Sequence, residues 1–300
     1  MTVEVGEGWL VDVSDRVVRG WSADALPYDA RGWAHSYRDA LRRACTGLSA
    51  SPGEHLHAVY ASTDTRPVDV ENVLTYNVGS ACLRAAARYG LVLERSLASA
   101  PSPAGTSLGH HVRYGLADDG DGWSCWSPGA LLADVRLDDP ALLREPKPAR
   151  VWLAANGGAA VEAHQSADSG PLLVDLHVGG PGWLGSPLGV MKPVVDGILS
   201  ALHSYAGQQV DALVERVTAV ARDLDDPELR RLLAPRSAPL GPWPFLLPRG
   251  GGVQFSPADD RIVGLRVLRE DEPSVPIECR VHMAMATGAT STGRGASFGT

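Results

Sequence analysis

Lysine is nearly missing from this chain. It occurs twice, as Lys147 and Lys192, and arginine supplies the rest of the 27 basic residues, a bias that points to GC-rich coding. Acids outnumber bases, 35 to 27, for a formal net charge of −8. That balance argues against binding nucleic acid through a broadly positive surface, because phosphate attraction rests on clustered Lys and Arg; any such contact must be local. Cysteine is scarce too: Cys45, Cys82, Cys125 and Cys279 lie far apart and form no CxxC pair, which excludes a disulfide framework and argues against a zinc site. No run of eighteen apolar residues occurs, so no membrane-spanning helix is expected. The start, MTVEVGEGWLVDV, lacks a basic and then apolar leader, and a soluble cytoplasmic protein is the expectation. There is no GxSxG, no GxxxxGK[ST], no GxGxxG after a strand, no HExxH and no HxxxH.

What is present suits a folded α/β (α+β) protein. Three hundred residues with 44% hydrophobic and 21% charged composition can bury a sizeable core, as one large domain or two coupled ones. GWLVDVSDRVVRGW (8–21) alternates like a strand or hairpin, and RGWAHSYRDALRRACTGL (31–48) has helical spacing closed by Gly47. Arg38, Arg42 and Arg43 share the outer face of that helix, as a solvated surface or a phosphate track. HLHAVYAS (55–62) reads as a strand, ENVLTYNVGSACLRAAARYG as a helix ending at Gly90, and LVLERS as a short strand. A mobile loop is expected over 97–109. HHVRYGLA and WSCWSPGALLADVRL, across the turn DDGDG, read as a hairpin. DDPALLREPKPAR (138–150) is the expected boundary between a unit spanning 1–137 and one spanning 151–284. In the second unit VWLAANGGAAVEAHQ and PLLVDLHVGG read as strands across a turn, and GVMKPVVDGILSALHSYAG as a helix closed by Gly207. An insertion over 208–252 holds two further helices and a Pro-rich covering loop (235–252); SPADDRIVGLRVLRE and IECRVHM are strands, and 285–300 is expected to be a disordered tail.

The chain echoes itself. With Asn72 aligned on Gly189, the strand HLHAVYA falls on LLVDLHV, the loops have equal length, and Gly90 coincides with Gly207. The repeated unit is strand, loop, helix. Common ancestry and the ordinary rhythm of α/β units both account for it.

Both units resemble the RusA family of Holliday junction resolvases. That family's pattern is a strand, an Asp-x-Asp-Asn motif opening a helix that carries a lysine and a later aspartate, and then an Asp-Asp pair leading into a strand. In the first unit Pro67, Asp69, Val70, Glu71, Asn72, Val73 and Leu74 match the acidic opening, with Glu71 in place of the second aspartate and Thr75 where the lysine would stand. In the second unit Lys192, Asp196, Asp259 and Asp260 match, but Ser186 and Leu188 stand where the first two acids belong. The resemblance implies a tandem RusA-like pseudo-dimer and a magnesium-dependent nuclease or phosphodiesterase, with Asp69, Glu71, Asp259 and Asp260 as metal ligands, Lys192 as catalytic lysine, and Asn72 and Asp196 in support. Mg²⁺ would be the cofactor, and DNA, held by local arginine contacts, the substrate or partner.

The chemistry is consistent with those residue types. Mg²⁺ takes hard oxygen ligands, and two carboxylates one residue apart on an extended segment point the same way. A neighbouring lysine can stabilise charge that develops on a phosphate. If the two units pack together, Asp69 and Glu71 meet Lys192 and Asp259 or Asp260 across the interface. Plain structural readings stand beside this one: Asp69 or Asn72 as a helix cap, Asp259 and Asp260 as turn residues, and Lys192–Pro193 as an early helix position. His110 and His111, adjacent in a strand, face opposite ways, and His203 reads as a core histidine bonded to backbone. Two further functions remain open: a catalytically decayed RusA-like scaffold with a protein partner, and an unrelated α/β enzyme whose pocket lies under the 235–252 loop, shaped by Trp243 and Phe245.

Overall fold

The computed structural model describes residues 2–27, 29–62, 68–98, 108–118, 122–157, 160–167, 169–180, 183–220, 226–271 and 273–287. Along the chain run β1 (Thr2–Gly6), β2 (Trp9–Ser14), β3 (Val17–Ser22), α1 (Trp33–Thr46), β4 (Glu54–Ser62), a wide π-helical turn (Asn72–Tyr76), α2 (Ser80–Leu83), β5 (Gly90–Ser96), β6 (His110–Asp118) and β7 (Trp126–Leu137). There follow α3 (Ala141–Arg144), α4 (Pro148–Gly157), β8 (Ala160–Ala163), β9 (Leu172–Gly179), α5 (Pro187–Ala201), β10 (Ser204–Tyr205), α6 (Val210–Val220) and α7 (Asp226–Leu233). The chain ends through β11 (Pro242–Trp243), β12 (Leu246–Arg249), β13 (Gly252–Phe255), a 3₁₀ turn (Asp259–Arg261), β14 (Ile262–Glu270) and β15 (Ile277–Ala286).

Eleven strands form one mixed sheet, in the order β1-β2-β3-β6-β4-β5-β14-β9-β15-β7-β8. Its centre is the antiparallel pair β5–β14, in register from Glu94 against Gly264 to Gly90 against Leu268. The same directions recur on either side. β5 is parallel to β4, which is antiparallel to β6, which is antiparallel to β3. β14 is parallel to β9, which is antiparallel to β15, which is antiparallel to β7.

The main core fills the space between one sheet face and the helices. Leu56, Ala58, Leu91 and Leu93 from the first half meet Val174, Leu176, Leu265 and Val267 from the second under Leu74, Val194 and Ile198. The opposite face is largely polar. There Arg266 grips Asp175 through Nε (2.7 Å) and a terminal nitrogen (2.5 Å), and His177 Nδ1 lies 2.5 Å from Glu270. A smaller core joins Trp152 of α4 to α6, α7, Phe245 and Leu246.

Several expectations change. The helix expected over 71–90 is broken: Gly79 has φ 95°, a value that favours glycine, and splits it into the wide turn and the four-residue α2. The wide turn has local causes, since Thr75 Oγ1 donates to the Glu71 carbonyl (2.9 Å) and the Tyr114 hydroxyl to the Leu74 carbonyl (3.0 Å), competing with the helical ladder. β6 and β7 do not form a hairpin: β6 lies between β3 and β4, and β7 between β15 and β8. Residues 151–157, expected as strand, belong to α4, which opens on Pro148, and the expected linker 138–150 contributes α3 and that opening. The Pro-rich stretch 235–252 is not all loop, because it contributes β11, β12 and the start of β13. β15 runs to Ala286; residues 288–300 of the expected tail, 99–107 of the expected mobile loop and 119–121 of DDGDG lie outside the described residues.

The strand directions repeat on either side of the centre, but the echo read from the sequence is out of register. At the spacing read from the sequence, Leu56 and Ala58 fall on Leu173 and Asp175. The first pair faces the helices, whereas Leu173 packs in a cluster on the other face and Asp175 bonds Arg266 there. An ungapped alignment therefore matches opposite faces, since a one-residue slip turns every strand side chain over. Gly90 opens β5 and Gly207 lies beyond β10, so neither ends a helix.

Helices α4 and α5 approach closely at Gly197, where an added Cβ would lie 2.5 Å from Val151 Cβ and 2.8 Å from the Pro148 carbonyl oxygen. Gly197→Ala is expected to destabilise the fold by about 1–3 kcal/mol through overpacking. Gly189→Ala, on the same helix with nothing within 4 Å, should be neutral or stabilising by up to about 1 kcal/mol. Urea unfolding midpoints measure both, and equal midpoints for the two variants would contradict the packing.

Candidate functional site

Over the β5–β14 pair the segment after β4 meets the second turn of α5 and the turn before β14, and at that junction four carboxylates surround Lys192 Nζ. Glu71 Oε2 and Asp259 Oδ2 each lie 3.2 Å away, Asp196 Oδ1 3.4 Å and Asp69 Oδ2 3.7 Å. Asp69 and Glu71 come from the segment after β4. Lys192 and Asp196 are one turn apart on α5, and Asp259 opens the 3₁₀ turn before β14. Because β4 and β5 are parallel and β5 and β14 antiparallel, the end of β4 and the start of β14 lie at the same edge of the sheet.

Asp69 fills both roles read from the sequence. Its Oδ1 accepts the Asn72 backbone N–H (3.1 Å), a capping bond, and Oδ2 accepts the Asn72 side-chain amide while remaining near Lys192. Asn72 thus orients a carboxylate of the cluster. Asp260 does not join it: the residue is exposed, and the Lys192 ion pairs among the described residues do not include it. Pro193 sits inside α5 and has no N–H, which leaves the Gly189 carbonyl without its usual helical donor. Glu71, Tyr76, Gly189 and Lys192 line a cleft of about 350 Å³.

Four acids share one base in a site where Glu71 and Asp196 are only 6% exposed. Burial pushes Glu71 up to about 8; Lys192 pulls it down, and Asp69 and Asp196 push it further up. Asp196 is pushed up to about 7 by burial and by Asp259, against the pull of Lys192. Asp69 is also raised, mainly by burial. For Lys192 burial opposes the charge, but the carboxylates outweigh it and hold the ammonium protonated. The excess negative charge is thus balanced by bound protons or by a second cation.

The donor set suits a hard divalent cation, since carboxylate oxygens are the ligands Mg²⁺ prefers. As placed, the oxygens converge on the ammonium, and among the described residues no three Asp, Glu, His or Cys side chains converge on a common ion position.

Other polar groups seen in the sequence are structural. Arg42 Nε donates to the Val78 carbonyl (2.9 Å) and Arg38 to Asn77 (3.2 Å), so these α1 arginines brace the break before Gly79. Arg43 pairs with Glu4 (2.8 Å). His203 is buried, with Nδ1 3.2 Å from the Gly241 carbonyl; His110 bonds Tyr60 (2.8 Å), and His111 packs on Trp21 from the opposite face. Phe245 is buried in the smaller core and the Trp243 indole donates to the Ser256 carbonyl (3.0 Å). A Ser124–His57–Glu94 group on the sheet face opposite the described helices had no signature in the sequence, its members being spread over three distant strands and loops. Its geometry is not that of a catalytic triad, because Glu94 approaches His57 Nε2 (2.7 Å), the same nitrogen that faces Ser124 Oγ (3.4 Å).

The raised carboxyls give a pH dependence with a defined sign. Folded Glu71 and Asp196 hold protons that the unfolded chain releases at ordinary carboxylate values, so between about 4.5 and 8 the folded state binds more protons. Their contribution to stability therefore falls as pH rises through that window. Metal-free wild type should lose more stability from pH 5 to pH 8 than Glu71→Gln, compared by denaturant midpoints in EDTA; parallel curves would show that Glu71 does not carry the proton.

Comparison of the chain with protein-family models, with curated proteins and with solved structures returns no match in any of the three.

Proposed function

We propose that this chain is a divalent-metal-dependent nuclease or phosphodiesterase acting on nucleic acid, built from two RusA-like units in tandem that share one composite site. The observation that carries this reading is the convergence of acids from both halves on Lys192. Asp69 and Glu71, which complete the motif only in the first unit, lie within 4 Å of the lysine that completes it only in the second. The repeated strand directions support the tandem arrangement, with the halves having diverged in register as well as in sequence.

Glu71, Asp69 and Asp259 would hold the ion, with Asp196 keeping Lys192 in place. A bound Mg²⁺ would supply an acidified water and neutralise charge on a phosphoryl oxygen. Lys192, released from part of its carboxylate shell, supplies a fixed ammonium for the charge that develops on the phosphate. Tyr76 is half exposed at the cleft and offers a ring for a nucleobase. One site of this composition makes one cut per encounter, unlike a symmetric resolvase.

Isothermal calorimetry and cleavage assays on branched and duplex DNA test this directly. Asp69→Asn should lose magnesium-dependent cleavage. Lys192→Met should slow cleavage by about 10²–10³-fold, the usual cost of removing one group that stabilises a transition-state charge. It should still bind Mg²⁺, since removing the lysine frees four carboxylates. A folded wild type that neither binds Mg²⁺ nor cleaves would favour the decayed scaffold.

A further inference from the structure

Beside the acidic cleft lies a second cavity, of about 610 Å³, whose character is opposite. Arg84, Arg88 and Arg269 line it with the hydroxyls of Thr46, Ser49 and Ser186, and no carboxylate lines it. In a chain with a net charge of −8 this grouping is local and cationic. Arg84 and Arg88 are four residues apart and exposed, and among the described residues no acid pairs with either. Arg84 caps α2 and Arg88 lies in the bend that leads into β5. Arg88 lies over the Tyr89 ring (5.4 Å) and Arg269 over the Trp183 ring (5.9 Å), so two of the three guanidiniums rest on aromatic faces. Arg269 also pairs with the exposed Asp271 (3.4 Å).

The cavity and the acidic cleft are neighbours in the fold. Ser80 lines the cleft and Ala81 the cavity; Leu188 lines the cleft and Ser186 the cavity. Arg88 leads into β5 and Arg269 leaves β14, at the end of the central strand pair opposite Asp259. From Ser186 to Lys192, α5 covers about 9 Å at its 1.5 Å rise per residue. That span is longer than a single phosphate ion.

Building on the phosphodiesterase reading, we propose that this cavity is a phosphate subsite, which holds the sugar–phosphate backbone of a nucleic acid strand while a neighbouring phosphodiester of that strand occupies the Lys192 cleft. Guanidinium groups suit the role because their paired N–H donors match phosphate oxygens. The cavity then supplies the affinity and the carboxylate cluster the chemistry, and the polarity of the strand is fixed by which cavity its next phosphate enters.

The test is fluorescence anisotropy of a labelled single-stranded oligonucleotide in EDTA, over about 50 to 200 mM salt. Wild type should bind. Arg84→Ala/Arg88→Ala should weaken binding by about tenfold or more and lower the salt slope by about 1.4, roughly 0.7 for each phosphate of a single strand that the variant leaves unneutralised. Equal affinity and slope in the double variant, or no binding by wild type, overturns the subsite. Inorganic phosphate that displaces the strand only at concentrations far above that of the oligonucleotide supports it; equal potency means the cavity takes free phosphate, which overturns it. A failure of the phosphodiesterase reading looks different: wild type with Mg²⁺ does not cleave, while the arginine variant still binds more weakly.

Discussion

The antiparallel pairing of β5 with β14 holds the molecule together as one object. It joins two half-sheets through five residue pairs, from Glu94–Gly264 to Gly90–Leu268, and over it sit the π-helical turn and α5. Because β5 runs parallel to β4 and antiparallel to β14, this one ladder brings the segment after β4 to the end of the sheet where β14 begins, and there acids of the first half meet a lysine of the second. Neither half contains the cluster alone. A site divided in this way should form only when the whole sheet is formed, so its stability is that of the central ladder and the core beneath it.

Charge organises the same junction. Burial and mutual repulsion raise Asp69, Glu71 and Asp196, and Lys192 offsets only part of that cost. On the proposed metal-dependent reading a second cation would relieve it, and its binding would displace protons from the raised carboxyls. The arginine cavity next door completes an electrostatic gradient across the helix layer, from a negative mouth to a positive one, on a protein whose total charge alone would repel a polyanion.

Much of the strand content could be read directly. β2, β3, β4, β5, β9, β14 and β15 show alternation or short apolar runs bounded by turn residues, and α1, α5, α6 and α7 carry helical spacing. The misreadings have physical causes. Val151, Trp152 and Ala155 resemble a buried strand locally, and Pro148 at the first helical turn was the signal that they are helical. DDGDG suggested a hairpin because turn chemistry is local, whereas the partners of β6 and β7 are distant in sequence. The acids of the site were legible because capping and ligation both put carboxylates at a helix mouth. Their meeting with Lys192 was an expectation conditional on the two units packing together, and Asp260 shows that adjacent residues of one type need not share a position. Arg84 and Arg88 gave no signal, since a pair of arginines four apart is what any wetted helix face presents.

The polar side of the sheet has its own consequence. Arg266, Asp175, His177 and Glu270 stand across β9 and β14, with Glu94 and His57 across β5 and β4. A second layer of helices laid there would have to dehydrate that array, and for ions already satisfied by one another the loss of water is a cost with little return. Among the described residues the sheet is thereby asymmetric in thickness, one face upholstered by helices and the other carrying its ion pairs and the small cluster of Trp126, Leu173, Val263 and Ala284.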